Sequence, residues 1–368
     1  MTTEWDSLLD GTKVAYHAER IAAWDRGEHI APITIDMALT RQCNYACHFC
    51  YAQMQENDRK TITAEVMDGF LQDCAEIGVK GISFVSDGES TISPAFAHSV
   101  RRGHGLGIDM AVGTNGLLFK RDWSEDLLQH LTYLRINFSG GERKRYAEIM
   151  GVKEEWYDRV VQNIRDMVEV KAKRGLTCTI GTQFVLDPRY ADQIIPFAKL
   201  SVQLGVDYGV IKHCSDDEEG KLGVDYTKYA ELEDLLHEAE ALSTPQTAIV
   251  AKWSKIRGGN RRSYNRCYGA PFILQISGSG LVAPCGMLFN AQYRKFHIGN
   301  ICETRFKEIW QSDRYWEVMR YLGSDQFNAQ KQCGSLCLQH CSNVALDNHK
   351  KGIPMPVVEG VPKHVNFI

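Results

Sequence analysis

The chain lacks a surplus of charge of either sign: 42 Lys and Arg stand against 46 Asp and Glu, a formal net charge of −4. No excess of cations is available to neutralise a phosphate backbone, which argues against an electrostatic nucleic-acid binder. No apolar run approaches the roughly 20 residues that a bilayer-spanning helix needs. The N-terminus lacks the basic–apolar–small order of a secretory signal. The expected setting is therefore the cytoplasm, with neither membrane nor nucleic acid as partner. Low-complexity tracts and short repeats are also missing, and Gly and Pro stand at ordinary levels, as in a globular protein. Length allows one large domain plus a smaller one.

What the chain has in quantity is cysteine, twelve in all. Disulfides are disfavoured in a reducing compartment. These cysteines are also clustered, which points to metal or redox chemistry. A basic stretch, Lys252, Lys255, Arg257, Arg261, Arg262 and Arg266, reads as a solvated linker face.

Helical periodicity marks Lys13–Trp24 in an otherwise polar N-terminal stretch, and the apolar strand Ile33–Leu39 leads into the first cysteine group. Strand-like segments follow at Gly81–Val85, Ile108–Val112, Tyr133–Phe138, Thr179–Leu186 and Tyr208–Ile211. Helical patterns alternate with them at Thr63–Ile77, Ser93–Gly103, Ser124–His130, Trp156–Arg174 and Ala191–Leu204. Repeated strand–helix units imply right-handed crossovers and a parallel sheet. Six such units make the expected fold α/β, a partial (β/α)6 TIM-like barrel. The pattern changes near residue 215: an acidic loop Ser215–Gly220, a helix Tyr226–Leu242 and a basic linker Arg257–Asn260 precede a Cys-rich segment with a hairpin signal at Ile273–Pro284. The expected division is an N-terminal extension 1–32, a barrel 33–250, a small Cys-rich auxiliary domain 251–345 and a tail 346–368.

Cys43, Cys47 and Cys50 form a CxxxCxxC pattern just after a strand. Three thiolates on one short loop suit three irons of a [4Fe–4S] cube, leaving the fourth open to an exchangeable ligand. S-adenosylmethionine (SAM) can chelate that iron through its amino and carboxylate groups, and one electron then splits a carbon–sulfur bond to give a 5′-deoxyadenosyl radical. The competing reading is a zinc site, which wants four ligands and for which His48 is the nominal fourth.

With this motif the chain resembles the radical SAM superfamily over residues 30–215. The resemblance implies that Phe49, the aromatic residue before the third cysteine, packs near the adenine. The second strand of the family usually ends in a Gly-Gly-Glu-Pro-like turn that receives the SAM amino group. Here FVSDGES follows the strand, so Gly88 and Glu89 match while Asp87 and Ser90 depart. Asn115 lies in the turn Thr114–Gly116 common in one branch of the family. Asn137 takes the place of a serine that contacts the ribose, and Ser139 the place of a common aspartate. An arginine often found near the SAM carboxylate is replaced by Met150, with Arg143 and Arg145 as possible substitutes.

The second group comprises Cys267, Cys285 in a GxxxxC arrangement after Gly280, and Cys333, Cys337 and Cys341 at CxxxC spacing. This region, with its GNI…EIW stretch, looks like the SPASM and twitch domains that carry auxiliary clusters in radical SAM enzymes. Too few cysteines are present for a full SPASM set, so the resemblance implies one auxiliary [4Fe–4S] cluster on Cys267, Cys285, Cys333 and Cys337. Cys341 is the main rival ligand, Cys302 a weaker one, and a structural zinc site the alternative to iron.

Chemistry on a parallel barrel gathers at the C-terminal strand ends, which selects Lys212, His213 and Cys214 after the sixth strand. Cys214 is the candidate hydrogen-atom donor to a substrate radical, as in radical SAM epimerases; its plain alternative is an ordinary thiol. Gln183 and Tyr208 are further candidates. Asp216, Asp217 and Glu218 read as a solvated loop or as a source of one base, and Cys74 and Cys178 as core. The expected function is hydrogen abstraction from a small polar metabolite (a sugar, aminocyclitol or nucleoside derivative), ending in dehydrogenation or epimerisation. An electron donor such as flavodoxin or ferredoxin is the expected partner. The alternatives are modification of a ribosomally made peptide, disfavoured by the mere thirty residues before the barrel, and a non-catalytic iron–sulfur or zinc protein.

Overall fold

Each of the six apolar runs read from the sequence forms a strand in the computed structural model, which describes residues 11–56, 58–217, 219–258, 262–333, 337–355 and 360–368. The chain divides into two units. The first comprises residues 1–42, 55–111 and 261–368, the second residues 43–54 and 112–260. Glu218 and Arg261 lie outside the described residues.

In the first unit, β1 (Thr34–Met37) pairs in parallel with β2 (Gly81–Phe84). The crossover between them is the helix Ala64–Ile77. Thr63 caps its start by accepting from Val66 N at 3.3 Å, and Gly78, at φ 93°, ends it in the left-handed conformation that glycine tolerates. The Cys-rich segment supplies β8 (Ile273–Ile276), β9 (Leu281–Ala283) and the two-residue β10 (Gly299–Asn300). β8–β9 is the expected hairpin, and β10 pairs antiparallel with β9. The other edge of β8 pairs in parallel with β1, in register Thr34↔Ile273 to Met37↔Ile276. The hairpin thus extends the sheet begun by the first strand. Every residue of β8 is buried, as a strand with neighbours on both edges and cover on both faces must be.

The second unit carries β4 (Tyr133–Asn137), β5 (Thr179–Leu186), β6 (Tyr208–His213) and β7 (Ala248–Ala251), parallel throughout and in that order. The strand β3 (Asp109–Thr114) runs from one unit into the other. One face of β5–β7 is apolar: Phe184, Leu186, Ile211, Ile249 and Ala251 pack with Phe197 and Ala198 of the helix Ile194–Leu204 and with Leu236 and Ala239 of the helix Glu233–Glu240. Alternation along a strand turns Gln183, Val185, Tyr208, Val210 and Lys212 to the opposite face. Gly181 leaves room there for the Tyr208 ring, which a Cβ at that position would strike.

Several local expectations are corrected. The helical stretch at Lys13–Trp24 is a 3₁₀ turn, Gly11–Tyr16, followed by the helix Ala18–Asp25. Tyr226–Leu242 likewise divides into a 3₁₀ segment, Tyr226–Leu232, and the helix Glu233–Glu240. The basic linker is partly helical, Trp253–Gly258, and its exposed cations take part in local pairs. Arg257 lies 4.4 Å from the Trp253 ring centre and pairs with Glu233 at 2.9 Å, while Arg266 pairs with Asp325. Asp216 is buried, its carboxylate accepting the backbone amides of Asp217, Leu222 and Val224, so it shapes the acidic loop from within. Cys74 and Cys178 are core, as expected. Among the described residues no helix is long and apolar enough to cross a membrane.

Candidate functional site

The loop bearing Cys43, Cys47 and Cys50 is held by its own backbone and by the helix Arg143–Met150. Cys50 N donates to Cys47 O at 3.1 Å, and Tyr45 N approaches Cys43 Sγ at 3.4 Å. His48 N donates to Ile149 O at 3.0 Å, and the hydroxyls of Tyr45 and Tyr146 meet at 3.1 Å. Gly151 closes that helix at φ 62°, with the Ala46 carbonyl packed where a Cβ would stand. The three thiols are partly or fully exposed, as ligands that meet a cofactor at a surface should be. His48 instead lies edge-on to Tyr190, at 6.5 Å between ring centres. Phe49 packs against the apolar face of β5–β7.

In the same unit, Asn115 Nδ2 donates to Asn44 Oδ1 at 2.7 Å, fixing the neighbour of Cys43, and its own Oδ1 accepts from Leu117 N at 3.1 Å. Asn137 Oδ1 accepts from Gln183 Nε2 at 2.5 Å, and buried Ser139 Oγ accepts from Val185 N at 3.1 Å. Met150 is buried. Arg143 pairs with Asp158 and Glu154, and Arg145 with Asp192 and Glu148. Both arginines named as substitutes for Met150 are therefore engaged with acids.

The Gly88–Glu89 turn belongs to the first unit. Glu89 N donates to Gln42 O at 2.8 Å, and Glu89 Oε1 accepts from Thr91 N at 3.1 Å and Thr91 Oγ1 at 2.6 Å. Ser90 Oγ accepts from Leu39 N at 3.2 Å. Gly88 adopts φ 98° with the Thr40 and Gln42 carbonyls pressed against it. Gly88→Ala is accordingly expected to destabilise the chain by at least about 1–3 kcal/mol, measured by chemical denaturation; unchanged stability would mean the turn relaxes freely. Asp87, which departs from the family turn, is 2 % exposed, pairs with Arg41 Nε at 2.8 Å and accepts Gly278 N at 2.9 Å. Gly278 in turn packs on the backbone of Thr40 and Arg41. This tie between the β8–β9 loop and the segment entering the first cysteine group was missed by sequence reasoning. Its only signal was an acid where the family places glycine.

Cys267, Cys285, Cys333 and Cys337 share one electrostatic neighbourhood. Burial and then the Cys337 and Cys333 thiols push Cys267 up to about 12; burial and the same neighbours push Cys285 upward as well. Asn343 Nδ2 reaches both Cys267 Sγ and Cys337 Sγ at 3.6 Å, and its Oδ1 accepts from Gly269 N. Gln339 spans the Ile273 and Pro284 carbonyls, fixing the strands beside Cys285. Tyr264 also touches this group, its hydroxyl 3.1 Å from His340 Nδ1. Cys302 stands apart, exposed, with its thiol on the Ser279 carbonyl at 3.8 Å. Cys341 lies on the helix His340–Lys350, half-buried. Buried Cys285 and half-buried Cys267, Cys333 and Cys337, two of whose sulfurs share the Asn343 amide, suit a cube, whose irons spread the thiolates and whose sulfurs accept such bonds.

Cys214 is fully buried, its thiol pushed up to about 12 by burial and then by Asp187 and Asp216. Its Sγ lies 3.9 Å from the Phe49 carbonyl of the cysteine loop, and Tyr229 Oη meets its backbone N at 2.9 Å. His213, held down to about 3 by burial and neighbouring lysines, packs near Tyr226 and Tyr229 on the helix-facing side.

The family model of the Radical SAM superfamily matches residues 37–188, and that of an iron–sulfur cluster-binding domain, SPASM, matches residues 267–342. A probable GTP 3′,8-cyclase of Saccharolobus islandicus (strain M.14.25 / Kamchatka #1) is 27 % identical over 171 residues, covering 46 % of this chain and 53 % of its own. One of Saccharolobus solfataricus is 28 % identical over the same span. The chain thus spans about half the length of the curated relatives it matches. Among solved structures, Streptococcus suis SuiB bound to S-adenosylmethionine aligns at TM-score 0.63 and 17 % identity, over 94 % of this chain and 81 % of that one. The anSMEcpe protein with bound AdoMet aligns at 0.57 and 16 %, over 86 % and 96 %. The α/β fold with its parallel sheet is the one these structures share.

Proposed function

We propose that the chain, which matches a radical SAM domain and a C-terminal SPASM domain, is a radical SAM enzyme that abstracts a hydrogen atom from a small polar metabolite, leading to dehydrogenation or epimerisation. The observation that carries this reading is the Cys214 thiol, sealed from solvent and 3.9 Å from the Phe49 carbonyl of the cysteine loop. The relatives named as GTP 3′,8-cyclases support a small polar substrate of the sugar, aminocyclitol or nucleoside kind. The likeness to SuiB and anSMEcpe supports the fold and leaves peptide modification as the alternative reading.

Cys43, Cys47 and Cys50 would hold the first cube, and Cys267, Cys285, Cys333 and Cys337 the auxiliary one. When bound, the first supplies the electron that splits SAM, and the second supplies a way for one electron to leave or enter the site. Around SAM, the roles proposed are Phe49 against the adenine, Glu89 for the ammonium, Asn137 for the ribose, and Gly88, Asn115 and Ser139 for the shape of the turns. Abstraction converts a substrate C–H into a carbon radical and leaves 5′-deoxyadenosine. In epimerisation Cys214 returns a hydrogen atom from the opposite face and is left as a thiyl, which one electron and one proton reset. A thiol held near 12 stays protonated at neutral pH, the state a hydrogen-atom donor needs. In dehydrogenation the radical instead loses a proton and an electron. The electron donor is proposed to be a flavodoxin or ferredoxin, and the setting the cytoplasm. The domain boundaries proposed with this reading are 1–32, 33–250, 251–345 and 346–368.

The test is anaerobic reconstitution with iron and sulfide, then SAM and dithionite in D2O, with sugars, aminocyclitols, nucleosides and peptides screened for faster 5′-deoxyadenosine formation. With an accelerating substrate, Cys214→Ser is expected to abolish deuterium incorporation into product while 5′-deoxyadenosine still forms. Deuterated product from Cys214→Ser would remove Cys214 from the reaction, and acceleration by peptides alone would replace the metabolite reading.

A further inference from the structure

Lys212 sits near the C-terminal end of β6, between Ile211 and His213, both of which belong to the helix-facing side. Its side chain therefore points to the opposite face, the one that also carries Gln183, Val185, Tyr208 and, two strands away, Arg135 on β4. Cys214, two residues on, lies against the cysteine loop. Lys212 has no hydrogen-bond or ion-pair partner among the described residues.

Most of the charges that act on it have its own sign, with the Cys214 thiol a smaller opposing influence. Burial, then the nearby Arg135, Lys255 and Lys252, hold its ammonium well below the usual lysine range. Acids at this end of the sheet are committed elsewhere. Asp187 is gripped by Arg189, Asp216 by three loop amides, and Glu240 by Trp253 Nε1 and Ala251 N. Lys212 is half-buried, and a cation partly withdrawn from water among other cations is costly to the folded chain, a cost that an arriving anion lowers.

We propose that Lys212, with Arg135 on the same sheet face, holds an anionic substituent of the substrate, a carboxylate or a phosphate, beside Cys214. This rests on the small-metabolite reading and narrows it to acidic metabolites. The anchoring atoms sit on strands, so the substrate is positioned by the most rigid part of the unit. The bond strengthens as the site closes from water, because the charges then interact at lower dielectric.

The test uses the cluster-loaded protein saturated with SAM, titrated calorimetrically with inorganic pyrophosphate and, separately, with succinate. At least one of the two is expected to bind, and which one identifies the substituent. Lys212→Met is expected to weaken that binding at least tenfold, and Lys212→Arg to keep it within threefold; iron content and thermal midpoint check that each variant is folded. The proposal fails if neither anion binds, if Lys212→Met binds as well as the parent, if Lys212→Arg loses binding as completely as Lys212→Met, or if Lys212→Met weakens SAM instead. 5′-Deoxyadenosine formation by the parent is read on the same preparation. Its absence sinks the radical reading on its own, whatever the anion titrations give.

Discussion

Cys50→Ala is expected to reduce 5′-deoxyadenosine formation to background and to lower the iron content from about eight to about four per chain, as loss of one of two cubes requires. Two thiolates cannot keep the iron that must stay open to SAM, and nothing else in the loop replaces the third. His48, the nominal substitute, is turned to Tyr190. Iron counting and a chromatographic assay for 5′-deoxyadenosine check both halves together. Retained SAM cleavage at four irons would show that Cys50 is not a ligand. Zinc in place of iron in the parent, with no cleavage, would replace the radical chemistry by a structural metal. The matched variant Cys267→Ala is expected to lose a similar amount of iron and keep the SAM cleavage.

Asp87→Ala carries the largest expected effect on stability, about 3–5 kcal/mol, the range for removing one partner of a buried ion pair. Arg41, 8 % exposed, loses the carboxylate 2.8 Å from its Nε, and Gly278 N loses its acceptor. Denaturant midpoints at fixed pH read it directly, and a loss below about 1 kcal/mol, the scale of an exposed pair, would mean that water reaches Arg41. A pH dependence goes with it. Burial raises Asp87 to about 6 even against the lowering by Gly278 N and Arg41. The folded chain then binds a proton that the unfolded chain, with an aspartate near 3.9, has already released. This group's contribution is fully present below about 4, declines as pH rises, and is lost above about 6. The difference between parent and Asp87→Asn denaturation curves across pH 4–7 measures it; a flat difference would show that Asp87 titrates alike in both states.

Much of this was legible in the sequence. The first six strands are apolar runs of Val, Ile, Phe, Leu and Tyr bounded by Gly and polar residues, and local pattern is enough for them. β7 is only AIVA and β10 only two residues, too short to stand out from their surroundings. The pairing of β8 with β1 is non-local and leaves no periodic trace. The cysteine groups were visible because thiol spacing is itself the chemistry. Asp87 was visible only as a departure, and its partner Gly278 lies 191 positions away. The depth of Lys212 depends on which face of β6 the helices cover, which the strand alone does not state.

The parallel pairing of β1 with β8 also sets a timetable. Asp36 and Gln275 are 239 positions apart, so at about 5–20 residues per second the edge of β1 waits roughly 12–50 s on the ribosome for its partner. During that interval a row of backbone donors and acceptors stands open to strands of other chains. Closing a sheet over so long a loop is slow in itself. Recombinant yield is therefore expected to rise with slower synthesis at low temperature, and a chain cut before residue 273 would leave the ribosome with that edge bare.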